Sequence, residues 1–223
     1  MSETGAAALA ARIAACKVCA AHLPHGVRPV ASFSPTARLL IIGQAPGSKV
    51  HLSGIPWDDK SGDRLREWTE LDRETMYDAS RVALVPMGFC YPGKASGGDK
   101  PPRRECAPLW HEEVLATLPQ DRLTLLVGTY AQAYYLPDTR RLSMTERVRR
   151  FTEFSPRVLP LPHPAWRSNL DAPEPLVRSR NPADPASENR SNAGLDQLLT
   201  SDRTRPPGRA RYRVRACPNA QAI

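Results

Sequence analysis

Two carboxylates follow an aromatic ring in the stretch GIPWDDKSGD (Gly54–Asp63), where Trp57 precedes Asp58 and Asp59. Tryptophan offers a flat face on which a nucleobase can stack, worth about 1–3 kcal/mol per base. A carboxylate beside a sugar can stabilise positive charge or orient a water. In LPHPAWRSN, two prolines hold the chain extended around His163 and aim its imidazole, the side chain best suited to proton chemistry near neutral pH. Gly43-Gln44-Ala45-Pro46-Gly47 reads as a stiff loop that a ligand can approach closely, with the Gln44 amide as donor or acceptor. Trp166 and Arg167 pair an apolar wedge with a cation, a combination suited to a DNA groove. A plainer use of the acidic pair is helix capping. Asp63 or Ser61 could serve there equally well, which leaves Asp58 and Asp59 with no evident structural duty. As adjacent like charges, they are expected to raise the pKa of one of the two.

Cysteine spacing adds a second constellation. Cys16-Lys17-Val18-Cys19 is a CxxC, Cys90 sits in FCYPG, and Cys106 follows sixteen positions later. Four thiolates can hold either a [4Fe–4S] cluster or a tetrahedral zinc, and spacing leaves both open. The alternative is that Cys90 and Cys106 are ordinary buried thiols. Cys217, the fifth, has no assigned partner.

These residues need a frame to hold them. RLLIIG (38–43), VALV (82–85), LTLLV (123–127) and VLPL (158–161) are short apolar runs of the kind found in strands covered on both faces. Helical patterns lie between them, at 63–71, 105–118, 130–136 and 145–154, and an Ala-rich helix is predicted over 4–21. Alternating strands and helices imply a three-layer α/β/α sandwich with a short, mainly parallel four-stranded central sheet. Sites in such sheets lie beyond the carboxyl ends of the strands, so the GQAPG and HPAWRSN loops should open on one edge.

The chain has 223 residues and a formal net charge of +8, which suits a polyanionic partner such as nucleic acid. No apolar run of about 18 residues exists, so no membrane span or membrane partner is expected. The N-terminus lacks the pattern of a signal peptide, and a cytoplasmic, nucleoid-associated bacterial protein is expected. There disulfides are not expected. Residues 1–170 read as one domain. Residues 171–223 read as a Pro/Arg-rich tail, disordered or acting as a basic arm. GQAPG lacks the Lys-Ser/Thr of a phosphate loop and the spacing of a dinucleotide fingerprint, so no nucleotide cofactor is expected.

Three motifs in order carry a resemblance: GQAPG at 43–47, GIPWDDKSGDRL at 54–65 and HPA at 163–165. Together they resemble the uracil-DNA glycosylase superfamily over about residues 13–169, most closely its family 4 iron–sulfur branch. The resemblance implies a base-excision repair enzyme acting on uracil in DNA; no Lys stands out as a Schiff-base nucleophile, so a monofunctional enzyme is expected, working as a monomer. Asp59, His163 and Gln44 would be catalytic. Gly43, Gln44, Ala45, Pro46, Gly47, Trp57 and Asp58 would form the base pocket, and Ser61, Arg103, Arg104, Trp166 and Arg167 would contact DNA. Lys94 and Lys100 are further phosphate candidates. Cys16, Cys19, Cys90 and Cys106 would hold a structural [4Fe–4S] cluster, with zinc as the alternative occupant. Three positions depart from the family pattern. Gln44 replaces Glu, Trp57 replaces Phe, and Leu84-Val85-Pro86-Met87-Gly88 lacks the Asn that reads uracil. Backbone groups near Ala45, Met87 or Gly88, or the Gln44 amide, are the candidate substitutes. A rival expectation is a nucleic-acid-binding protein that kept the fold and lost catalysis.

Overall fold

A computed structural model describes residues 3–154 and 157–165. Trp166, Arg167, Cys217 and the 171–223 tail lie outside the described residues. The central sheet contains β1 (Leu39–Ile42), β2 (Val82–Leu84), β5 (Leu123–Val127) and β6 (Val158–Leu161), ordered β2-β1-β5-β6 and parallel throughout. Every residue of β1 is fully buried, as expected for a central strand covered on both faces. Leu40 and Ile42 face one core with Leu9, Ile13, Trp110, Val114 and Tyr135. Leu39 and Ile41 face the other with Leu65, Leu71 and Met76. The alternation of one strand therefore produces three layers.

One outer layer holds α1 (Glu3–Ala14), α5 (Cys106–Thr117) and α6 (Thr129–Tyr135). The other holds α3 (Lys60–Thr69) and α4 (Arg73–Tyr77). The helix predicted over 4–21 stops at Ala14, and a turn follows in which Cys16 N–H donates to Ile13 C=O (3.0 Å). The helical pattern at 145–154 splits into α7 (Met144–Arg149) and a 3-10 turn at Phe151–Glu153. Three short elements escape periodicity: α2 (Ser48–Ser53), α4, and a hairpin of β3 (Lys94–Ala95) with β4 (Gly98–Asp99). Among the described residues no helix is long and apolar enough to cross a membrane.

One buried polar residue braces the sheet edge. His111 of α5 is 1% exposed; its Nδ1 meets the Tyr135 hydroxyl (2.5 Å) and its Nε2 meets the Pro86 carbonyl (3.0 Å). A carbonyl only accepts, so Nε2 carries the proton and Nδ1 accepts from tyrosine. Burial lowers the His111 pKa to about 4, so the ring is neutral in the fold. The unfolded chain binds this proton below about pH 6.5 and the folded chain only below about 4. The stabilisation is therefore complete above pH 6.5 and is lost as pH falls toward 4, amounting to of order 3 kcal/mol. Urea unfolding across that window should show stability falling with acid, and His111→Gln should flatten the slope. Equal slopes in the two proteins would contradict this account.

Candidate active site

The carboxyl edge of the sheet opens into a cavity of about 600 Å³. Its floor is the loop leaving β1. Met87 N–H donates to Gly43 C=O (2.9 Å) and Gly88 N–H to Gln44 C=O (3.0 Å), so this loop is laced to the chain leaving β2. The Gln44 side chain donates from Nε2 to Lys100 C=O (3.4 Å), which draws the β3–β4 hairpin over the loop. The N–H groups of Met87 and Gly88, two of the backbone groups expected to read a base, are thus bonded within the protein. Gly43, Gln44, Ala45, Pro46, Gly47, Trp57, Asp59, Ser61 and His163 all line this one cavity.

Trp57 forms one wall, in a strained turn. Its φ of 58° lies in the left-handed region that side chains rarely adopt. Two glycines make the turn possible. A Cβ on Gly43 would lie 2.6 Å from Cζ2 of the Trp57 ring, and one on Gly62 would lie 1.7 Å from the Trp57 carbonyl oxygen. Tyr77 of α4 donates its hydroxyl to that same carbonyl (3.2 Å).

The two acids have duties the sequence reading denied them. Asp59 is the N-cap of α3, and its Oδ1 accepts from Gly62 N–H (3.0 Å). Ser61 and Asp63 lie inside the helix, and Asp63 pairs with Arg66. A carboxylate also suits the positive end of a helix. Asp58 turns away from the cavity toward Arg73 (3.0 Å). This corrects the expected like-charge effect: the hydrogen bond from Arg73 pulls the Asp58 carboxyl below its usual range. Attraction from a close partner outweighs repulsion between neighbours that point apart.

His163 enters from the opposite side. Its ring centroid lies 6.0 Å from that of Trp57 at an interplanar angle of 34°. Ala165 N–H donates to His163 Nδ1 (3.1 Å), so the neutral ring carries its proton on Nε2. Burial lowers its pKa, against an opposing pull from Asp59 and Asp99. The neutral ring thus dominates at pH 7. Arg64 of α3 donates to Ala165 C=O (3.3 Å) and holds the same loop. At the preceding strand end, Gln132 is fully buried and donates from Nε2 to Leu161 C=O (2.8 Å). Gly128, with φ of +81°, leaves room for His163, whose Cβ would stand 3.3 Å from a Cβ placed there.

Sequence reasoning missed Gln132, Gly62, Gly128 and a third carboxylate, Asp99, which lines the cavity with Lys49, Lys60 and Lys94. The Gly-Gly before Asp99 was the available signal for a hairpin. It could not say where the hairpin would lie. Arg104 is exposed. Arg103 pairs with Glu105 (2.5 Å) and lines a different cavity.

That second cavity belongs to the cysteines. Cys16, Cys19, Cys90 and Cys106 are free thiols and all four line it, among Ile13, Leu23, Phe89 and Trp110. Phe89 N–H donates to Cys106 Sγ (3.3 Å). Burial pushes the Cys106 thiol up to about 12 and also raises Cys90, with the neighbouring thiols adding to both. A bound cation would reverse that balance. The donor set fits a soft metal group. The space now enclosed is only about 20 Å³, and among the described residues no three ligand-type side chains form a ready-made ion site.

The steric role of Gly62 is directly testable. Gly62→Ala should lower unfolding free energy by about 2 kcal/mol or more, read from urea midpoints. Gly97→Ala, whose added Cβ meets nothing within 4 Å, should change it by less than about 0.5 kcal/mol. Equal effects would contradict the packing described for Trp57.

A comparison across known protein families extends over the strand-end loops and the late histidine. The family description "Uracil DNA glycosylase superfamily" matches residues 30–182, most of the chain. This protein belongs to the uracil DNA glycosylase superfamily.

Proposed function

We propose that the chain is a monofunctional uracil-DNA glycosylase that hydrolyses the bond between C1′ of deoxyribose and N1 of uracil and leaves an abasic site. The observation that carries this reading is the convergence of Trp57, Asp59 and His163 on one cavity at the sheet edge. The target nucleotide is extruded from the duplex at a cost of a few kcal/mol and stacks on Trp57. Its glycosidic bond breaks toward a cationic sugar and a uracil anion. The Nε2–H of neutral His163 and the 44–47 loop face the charge developing on the base. Asp59, with Oδ1 held by the helix cap, faces the sugar and the attacking water. Gln44, through its Oε1 and its second amide proton, and the Ala45–Gly47 backbone line the cavity and are the polar groups placed to read the base, whereas Met87 and Gly88 do not line it. Lys49, Lys60 and Ser61 at the cavity margin suit backbone phosphates. The reaction requires neither a partner subunit nor a nucleotide.

The four cysteines are proposed to hold a [4Fe–4S] cluster in a structural role, with zinc as the alternative occupant. The support is their shared cavity and the family 4 resemblance. Iron content with broad visible absorbance in the purified protein is expected. Zinc with no colour would assign the other occupant, and neither metal would overturn the proposal.

One observation favours a second reading. Pro86-Met87-Gly88 stands where the family 4 Asn reads uracil, as it would in a protein that binds DNA without cutting the glycosidic bond. An end-labelled strand carrying one uracil, incubated with protein and then treated with hot alkali, separates the two. Cleavage at the uracil is expected, lowered at least about 100-fold by Asp59→Asn and by His163→Ala. Asn keeps the helix cap, so that variant tests the charge alone. Because burial lowers the His163 pKa, the neutral ring should predominate at pH 7, and single-turnover rates should show a histidine-linked fall only on the acid side of the usual histidine range. A retarded complex with an intact strand would establish the binding protein instead.

A further inference from the structure

Asp99 is a second carboxylate in the same cavity, delivered by a different part of the chain. Lys100 N–H donates to Gly93 C=O (2.8 Å) and closes the hairpin, and Gln44 ties the hairpin down at Lys100. Asp99 is thereby fixed from two sides. Its Oδ1 pairs with Lys94 Nζ (3.0 Å), and the buried Tyr91 hydroxyl also bonds its carboxylate. Tyr91 is itself wedged against His25, with ring centroids 5.0 Å apart, and against His51, at 5.8 Å. A carboxylate braced this way, with a side chain only 30% exposed, is placed more firmly than a solvated hairpin acid needs to be.

Its direction carries the argument. The position a Cβ would occupy on Gly47 lies 3.4 Å from Asp99 Oδ2 and 3.8 Å from Asp59 Oδ2. Each acid therefore has Oδ1 engaged, Asp59 by the Gly62 N–H at the helix cap and Asp99 by the exposed Lys94 ammonium, and each brings Oδ2 near the same space over Gly47. Gly47 keeps that space open, and His163 feels both charges. Two acceptor oxygens near one point of the cavity, beside a flat base-stacking wall, can both accept from a single water.

We propose that Asp99 is a second catalytic carboxylate, which shares the attacking water with Asp59; the assignment rests on the glycosylase reading above. The C1′–N1 bond breaks and its electron pair leaves with the base. The water oxygen then bonds to C1′, its released proton passes to one of the two carboxylates and on to solvent, and the base anion takes a proton from solvent. The pair of negative charges also stabilises the cationic sugar while the bond is broken. One hairpin residue thus completes a site whose other members come from the sheet edge.

The test is single-turnover uracil release from DNA, with affinity for the same DNA read by anisotropy. Asp99→Asn is expected to slow the chemical step about 100-fold and leave DNA affinity unchanged or tighter, since a negative charge near phosphates is removed. Asp99→Ala assayed with and without added formate guards against a folding defect, because a carboxylate from solution restores rate only to an intact site; restoration is expected. A chemical step within about twofold of wild type, or a loss confined to affinity, would overturn the role of Asp99. A wild-type protein that releases no uracil would overturn the glycosylase reading, and this inference with it.

Discussion

The site depends on one close contact: a tryptophan in a left-handed turn, its ring over Gly43 and its carbonyl over Gly62. No side chain fits at Gly43 without moving the ring, nor at Gly62 without moving the Trp57 backbone. Each of the surrounding bonds serves this turn. Tyr77 holds the carbonyl of Trp57, Arg73 holds Asp58, and Asp59 caps the helix that begins immediately after. The strain of an aromatic residue at positive φ, of order 1–3 kcal/mol, is offset by these contacts and by the packing of Trp57 against the α3–α4 core.

Once the turn is set, the sheet does the rest. Parallel pairing of β1, β5 and β6 sends the loops at 43–47 and 162–165 out of the same edge. The Trp57 wall and the His163 ring then meet across one cavity. Asp59 illustrates how economical this is, since one carboxylate oxygen starts a helix while the other turns to the space over Gly47. One side chain thus carries both the helix cap and the proposed chemical role, and a substitution must be chosen to separate them. The imidazole is handled similarly. A backbone N–H fixes its tautomer and burial keeps it neutral, so it can donate from Nε2 without bringing a charge.

Much of this frame was legible in the sequence. LTLLV and VLPL matched β5 and β6 residue for residue, because strands buried on both faces read as unbroken apolar runs. The Ala-rich start misled by length: intrinsic propensity favoured continuation past Ala14, whereas tertiary structure turns the chain to bring Cys16 and Cys19 beside Cys90 and Cys106. α2 and α4, with six and five residues, are too short for periodicity to register. Asp59 was singled out for chemistry while its capping duty was missed, because any of three nearby residues was a plausible cap. Asp99 and Gln132 were invisible, since their positions follow from a hairpin fold-back and a buried amide that only three-dimensional packing defines. The family match over residues 30–182 supports the superfamily reading and leaves the choice of damaged base to experiment.

The central claim is that Trp57, Asp59 and His163 form one base-excising site. A crystal structure of the protein with DNA carrying a non-hydrolysable 2′-fluoro-deoxyuridine tests it most directly. The account predicts an extruded uracil stacked on Trp57, with a carbonyl oxygen within hydrogen-bond reach of His163 Nε2 and the sugar facing Asp59. A base left in the duplex, or DNA bound on a face away from the carboxyl edge of the sheet, would contradict it.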